Sequence, residues 1–261
     1  MTDVLRTVEE ISLDFVDTNH PQLPPPTDPA RLSVRQVHTI TDRFSLAISY
    51  LIVDGPRLAV VNPGTEGNVQ LLLTYLQRVL QRRSSDIDLV VLTHLQRTHT
   101  PGLEALLREC QAPVAASVFV RPAGARDRPE LPGRSVFNVL DEPSASRDVL
   151  PSVNVRQVDM VSIWLEDGEG LPGHPDWRVL LCPGHAPGSL CLYNPLSYEL
   201  LCSDTVVTTH GSIPFLRGGN NRRRMDETLR ALRRLRVHYV YPGNGKAILS
   251  LQPLKHLELE W

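Results

Sequence analysis

Val90-Val91-Leu92-Thr93-His94-Leu95-Gln96-Arg97-Thr98-His99-Thr100-Pro101-Gly102 is the stretch that decides the fold. Leu89 to Leu92 is apolar without interruption and reads as a buried strand. It stops at Thr93. Two histidines, His94 and His99, follow before Pro101-Gly102 opens a helical pattern that runs to about Cys110. A short histidine loop between a buried strand and a helix sits where α/β proteins place chemistry. Neutral imidazole is the commonest metal ligand near pH 7.

Working back toward the start, Asn68 to Arg82 carries Val69, Leu72, Leu73, Leu76, Val79 and Leu80 at helical spacing. This predicts an amphipathic helix whose cationic end, Gln81-Arg82-Arg83, suits the helix dipole. Before it, Val34–Ile40, Leu46–Val53 and Leu58–Val61 are short apolar or alternating runs. Thr41-Asp42 and Asp54-Gly55-Pro56 separate them as turns, so an antiparallel meander is expected. Residues 1–33 read as an N-terminal extension. Thr7–Val16 suits a short helix or strand, and the proline-rich Gln22–Pro29 is extended. The rest, 34–261, reads as a single domain.

Working forward, Pro113–Ala116 is expected to be the next parallel strand. Arg121–Leu150 is rich in Pro, Gly, Arg and Asp and reads as a long irregular loop. Strands are expected at Val153–Val158, Ile163–Leu165, Trp177–Leu181, Leu190–Tyr193 and Glu199–Cys202. Turns are expected at Glu166-Asp167-Gly168, His174-Pro175-Asp176 and Asn194-Pro195. Asn221–Leu235 predicts a basic amphipathic helix with Met225, Leu229, Leu232 and Leu235 inward. Val237–Tyr241 is a last buried strand, and Ser250–Leu259 suits a closing helix. The second half thus echoes the first, which points to two sheets packed face to face with helices outside.

Composition sets limits. The chain of 261 residues is 41% hydrophobic and 21% charged, with a net charge of -2. No global field favours nucleic acid or an anionic membrane. Arg222-Arg223-Arg224 with Arg230, Arg233, Arg234 and Arg236 is basic, but no aromatics interleave for base stacking, so it reads as a solvated helix face. No signal-peptide pattern and no bilayer-length apolar run is present. Four cysteines without a C-x-x-C pair suit reduced, buried thiols. A cytoplasmic protein is expected, with no nucleic-acid or membrane partner. Nothing in the sequence sets its oligomeric state.

The histidine loop resembles the Thr-His-x-His-x-Asp-His signature of the metallo-β-lactamase superfamily, with Gln96 at the second histidine and Thr98 at the aspartate. Four further stretches resemble that family in the right order. Asn62-Pro63-Gly64 stands where the family has a strand-ending Asp-x-Gly. Cys182-Pro183-Gly184-His185-Ala186-Pro187-Gly188-Ser189 is close to Pro-Gly-His-Thr-Pro-Gly. Leu200-Leu201-Cys202-Ser203-Asp204 matches the strand that ends in a bridging aspartate. Tyr241-Pro242-Gly243-Asn244-Gly245 matches Pro-Gly-His-Gly, with Asn244 at the histidine.

The resemblance, which runs from about Val34 to Ile248, implies an α/β fold, a four-layer αββα sandwich of the glyoxalase II-like hydrolase kind, with a metal site at one edge. By position, the first metal of the family would fall to His94, Gln96 and His185, and the second to Thr98, His99 and Asn244. Asp204 would bridge both as the catalytic carboxylate. Asn62 would support the histidine loop from outside the ligand set, less well than a carboxylate does.

Thr98 and Asn244 are degenerate ligand positions. His99 and Asp204 alone are too few to hold zinc tightly, so the second position is expected to be empty. His94, His185 and Asp204 survive together. They suit one zinc, with Gln96 Oε1 or water as fourth ligand, or one iron(II). Three readings stay open. The first is a mononuclear hydrolase acting on an ester, thioester or lactone of a small molecule. The second is a metal-free, non-catalytic binding or scaffold protein, with His94 and His99 as loop residues and His185–Asp204 as a buried ion pair. The third is an iron(II) sulfur dioxygenase.

Overall fold

In the computed structural model the described residues are 35–41, 48–95, 100–121, 155–186, 188–208, 214–217, 221–255 and 257–260. The expectations for residues 1–33, Gln96, Thr98, His99 and most of Arg121–Leu150 fall outside them.

Strands β1 (Arg35–Thr41), β2 (Ile48–Asp54) and β3 (Arg57–Val61) form the expected antiparallel meander. Helix α1 (Glu66–Arg78) follows. It starts where it does because Thr65 accepts a hydrogen bond from Asn68 N at 3.2 Å, and Asn68 Oδ1 accepts one from Thr65 N at 3.1 Å. These reciprocal bonds satisfy two backbone donors of the helix start. Strand β4 (Leu89–Leu92) runs parallel to β3, then α2 (Leu103–Glu109) leads into the parallel β5 (Val114–Ser117). A one-turn helix α3 (Val155–Val158) precedes β6 (Ile163–Leu165), which completes a six-stranded sheet ordered β1-β2-β3-β4-β5-β6.

The second half contributes β7 (Gly170–Leu171), β8 (His174–Leu181), β9 (Leu190–Asn194), β10 (Glu199–Ser203), β11 (Val206–Thr208) and β12 (Pro214–Arg217). Helix α4 (Arg222–Leu232), β13 (Tyr239–Pro242), β14 (Ile248–Leu249) and β15 (Glu258–Glu260) follow. The second sheet has the order β14-β13-β10-β9-β8-β7, and β11-β12-β15 form a small third sheet.

Alternation along the strands builds the layers. On β2, Ile48, Tyr50 and Ile52 face the second sheet while Leu51 faces the helices. On β4, Leu89 and Val91 face the second sheet while Val90 and Leu92 face the helices. The inter-sheet core joins these residues to Trp177, Val179, Leu181, Leu192 and Leu201. Helices α1 and α2 cover the outer face of the first sheet, and α4 covers that of the second through Met225 and Leu232. The result is a four-layer αββα sandwich. Strands buried on both faces explain why β3 and β4 read as unbroken apolar runs.

Four local expectations need correction. Val155–Val158 is helical, not a strand. In a four-residue run, apolar spacing does not separate the two states. Ile163–Leu165 joins the first sheet, parallel to β5, and not a second meander. His174-Pro175-Asp176 lies in β8, because the turn is made by Pro172-Gly173 with Gly173 at φ 77°. Ser250–Leu259 is not a closing helix. Its end is β15, paired in parallel with β12. Among the described residues no helix is long and apolar enough to cross a membrane.

At the edge opposite the histidine loop, His174 ties the halves together. It is fully buried, and its Nε2–H donates to Asp88 Oδ1 at 3.2 Å, while Asp88 Oδ2 accepts from Leu58 N at 3.1 Å. Burial pushes the His174 imidazole below its ordinary value of 6.5, against the pull of Asp88 and Asp54 and with a small push from Arg57. The half-buried His38, bonded to Tyr75 at 2.7 Å, is lowered by burial as well. The folded chain therefore binds fewer protons than the unfolded one below pH 6.5, and stability is lost as the pH falls through that window. Thermal unfolding between pH 7.5 and 5.5 is expected to show a falling midpoint, with a shallower fall in His174→Asn.

Candidate metal centre

Five loops meet at one edge of the sandwich, each at the C-terminal end of a strand. They are Asn62-Pro63-Gly64 after β3, Thr93-His94 after β4, Cys182 to His185 after β8, Ser203-Asp204 at β10 and Gly243-Asn244 after β13. Backbone geometry allows the sharp exits. Asn62 and Ser203 are left-handed at φ 56° and 43°, and Gly184 sits at φ 119°. Asparagine tolerates that region better than most residues, which suits Asn62 to its place. A side chain on Gly184 would strike Met225 at 2.7 Å, so the bare glycine lets the His185 loop lie on α4. Thr228 Oγ1 of the same helix donates to Pro183 O at 2.8 Å and fixes it there.

His94, His185 and Asp204 converge. Each offers one ligand atom, and these atoms lie within 4.8 Å of one another. The three are 3%, 8% and 5% exposed, so the cluster is buried. His185 Nε2 stands 3.9 Å from Asp204 Oδ2. The two imidazoles meet edge to face, with ring centroids 5.7 Å apart. Thr93 Oγ1 bonds His94 Nδ1 at 3.0 Å and so fixes the ring.

Asn62 works as a buried bracket. Its Nδ2 donates to Thr93 Oγ1 at 2.8 Å and to Ser203 Oγ at 2.9 Å, and its Oδ1 accepts from Thr93 N at 3.0 Å. One amide thus joins the loop that carries His94 to the strand end that carries Asp204. A carboxylate there would only accept, so the two donated bonds are particular to asparagine. Asn62→Ala is expected to cost about 2–4 kcal/mol, from unmade buried hydrogen bonds plus the loss of asparagine's tolerance of the left-handed region. Urea unfolding checks it, and a loss below about 1 kcal/mol would count against the bracket.

Gly243 closes the site from below. A Cβ on it would lie 2.2 Å from both the backbone N and Oδ1 of Asp204. Its own N–H donates to Ser203 O at 2.6 Å. Asn244 is half-buried, and its carbonyl accepts from Thr208 N at 2.9 Å. Thr205 is buried beside Asp204. The four cysteines are buried free thiols, as composition suggested, with Cys182 and Cys191 Sγ atoms 3.0 Å apart. Burial pushes the Cys182 and Cys202 thiols well above their ordinary value.

Sequence reading missed Tyr50, Thr93 and Ser203 as parts of this site. Tyr50 is an inward position of a meander strand, and nothing in its local pattern sets it apart from Ile48 and Ile52. Ser203 and Thr93 were visible only as neighbours of Asp204 and His94.

The chain matches the family model of the metallo-beta-lactamase superfamily over residues 45–244, a span that holds His94, His185 and Asp204 and ends at Asn244. It is 25% identical over 221 residues to the probable metallo-hydrolase YqjP of Bacillus subtilis (strain 168), covering 78% of this chain and 68% of that protein. It is similar to the chemotaxis sensor ODP, solved as a peroxy diiron species. That likeness has a TM-score of 0.57 at 16% identity, over 85% of this chain and 89% of that one. It is also similar to a metallo-beta-lactamase family protein of Thermus thermophilus. There the TM-score is 0.55 at 21% identity, over 87% of this chain and 77% of that one. Identities this low establish the fold alone for the solved structures. The match over most of the chain gives the family: this chain belongs to the metallo-beta-lactamase superfamily.

Proposed function

We propose that the chain is a metal-dependent hydrolase with a mononuclear site held by His94, His185 and Asp204, acting on an ester, thioester or lactone of a small molecule. The observation that carries this reading is the convergence of two buried imidazoles and one buried carboxylate within 4.8 Å. A divalent cation would stabilise the buried Asp204 carboxylate, and two nitrogens with one carboxylate oxygen would leave coordination positions open for water and substrate.

Each residue has a task that follows from its bonds. Thr93 occupies His94 Nδ1, so Nε2 is the nitrogen that would hold a metal. Asn62 holds the His94 loop at a fixed height against Ser203-Asp204. Met225 and Thr228 seat the His185 loop on α4. A bound divalent cation would lower the pKa of water toward neutrality and polarise the substrate carbonyl.

The same donor chemistry supports a second reading. Two histidines and one carboxylate also suit iron(II), as a sulfur dioxygenase requires. Metal analysis of protein purified without a chelator or affinity tag tests both. About one equivalent of metal is expected. Zinc supports the hydrolase, and iron with oxygen-dependent turnover supports the dioxygenase. No metal after incubation with zinc, manganese or iron(II) overturns both and leaves a non-catalytic binding protein.

A further inference from the structure

We infer that Tyr50 is a positioning residue for Asp204, acting from the opposite sheet through the Pro242–Gly243 peptide. The inference rests on the reading of Asp204 as a metal ligand. Tyr50 lies on β2, paired with Val61, the residue before Asn62. Its side chain points into the inter-sheet core and is 2% exposed. Its hydroxyl crosses that core and donates to Pro242 O. The ring meets Tyr241 edge-on, with centroids 5.8 Å apart at 70°, which sets its direction.

The next residue after the accepting carbonyl is Gly243, whose backbone lies directly against Asp204. A Cβ there would come within 2.2 Å of Asp204 N and Oδ1, and its N–H already bonds Ser203 O. Asp204 therefore rests on a peptide whose height the Tyr50 hydroxyl sets. Other bonds also cross between the sheets at this edge. Asn62 Nδ2 donates to Ser203 Oγ, and Leu190 N donates to Thr93 O at 2.9 Å. The first braces Asp204 and the second braces His94. Tyr50 supplies a further brace for Asp204, through the Pro242–Gly243 peptide. Burial pushes its phenol well above the ordinary value, so it stays a donor.

Tyr50→Phe keeps the ring and removes only the hydroxyl, while Ile52→Val trims the same core on the same face of β2 without touching the loop. Amide hydrogen exchange on protein without added metal is the first readout. Tyr50→Phe is expected to speed exchange of residues 240–246 by about tenfold and leave 48–61 unchanged. Equal acceleration of both segments, or the same acceleration in Ile52→Val, would mean a merely structural tyrosine and overturn the inference. So would unchanged exchange. Cobalt(II) titration is the second readout, with about tenfold weaker binding expected in Tyr50→Phe and none in Ile52→Val. If the natural protein binds no cobalt, the metal reading fails, and the exchange result still decides the role of Tyr50.

Discussion

If the proposed mononuclear site is right, converting His94 and His185 together to alanine is expected to abolish metal binding. Two of three converging donors vanish, and Asp204 alone gives one oxygen ligand. Losing a partner outside the ligand set typically costs about 10- to 100-fold in metal affinity, so losing two ligands should cost on the order of 1,000-fold or more. The measurement is metal content and competition titration beside the natural protein. Both imidazoles are buried, so the double change also opens space in the site, and Asp204→Asn serves as a second variant that keeps the volume while removing the charge. Equal metal in all three proteins would place the binding elsewhere and sink the three-residue site.

Gly243→Ala is expected to damage both the fold and the site. The added carbon would fall 2.2 Å from two atoms of Asp204 and 2.3 Å from the carbonyl carbon of Ser203, where backbone cannot swing aside. Overpacking of this kind costs about 3 kcal/mol, which lowers the unfolding midpoint by on the order of 10 °C. Whatever relaxation occurs must move Asp204 or the Pro242 loop, so metal affinity should fall with stability. Gly168→Ala provides the comparison. Gly168, unlike Gly243, is left-handed, at φ 80°, and nothing lies within 4 Å of its missing Cβ. It should lose only about 1 kcal/mol and no metal. Equal losses in the two variants would show that the contact with Asp204 is relieved at no cost.

The histidine and aspartate that converge here stand far apart in sequence, yet each sits directly after a buried strand. A strand-ending loop in an α/β sandwich has a fixed position because the strand behind it is packed on both faces. His94 inherits its place from Leu89–Leu92, which the sequence reading bounded as the structure does. Asp204 inherits its place from β10, whose five residues are all buried. Pro183-Gly184-His185 was legible as part of a family motif, though the contact of Gly184 with Met225 was not. The misreadings fall elsewhere, on Val155–Val158, Ile163–Leu165, His174–Asp176 and Ser250–Leu259, where runs are short and pairing with a distant strand or helix decides the state.

The sequence by itself determined the layered α/β class and the order of strands and helices around the histidine loop, and through the family resemblance it named His94, His185 and Asp204 as the candidate ligand set. Period, turn residues and donor chemistry are local properties, and they survive in one dimension. Only the tertiary structure decided that these three reach one another within 4.8 Å, that Asn62 spans both loops as donor and acceptor, and that Tyr50 and Gly243 hold Asp204 from beneath. Those facts depend on how two twisted sheets register across a packed core. That register comes from side-chain fit over many strands at once, so no single stretch of sequence encodes it.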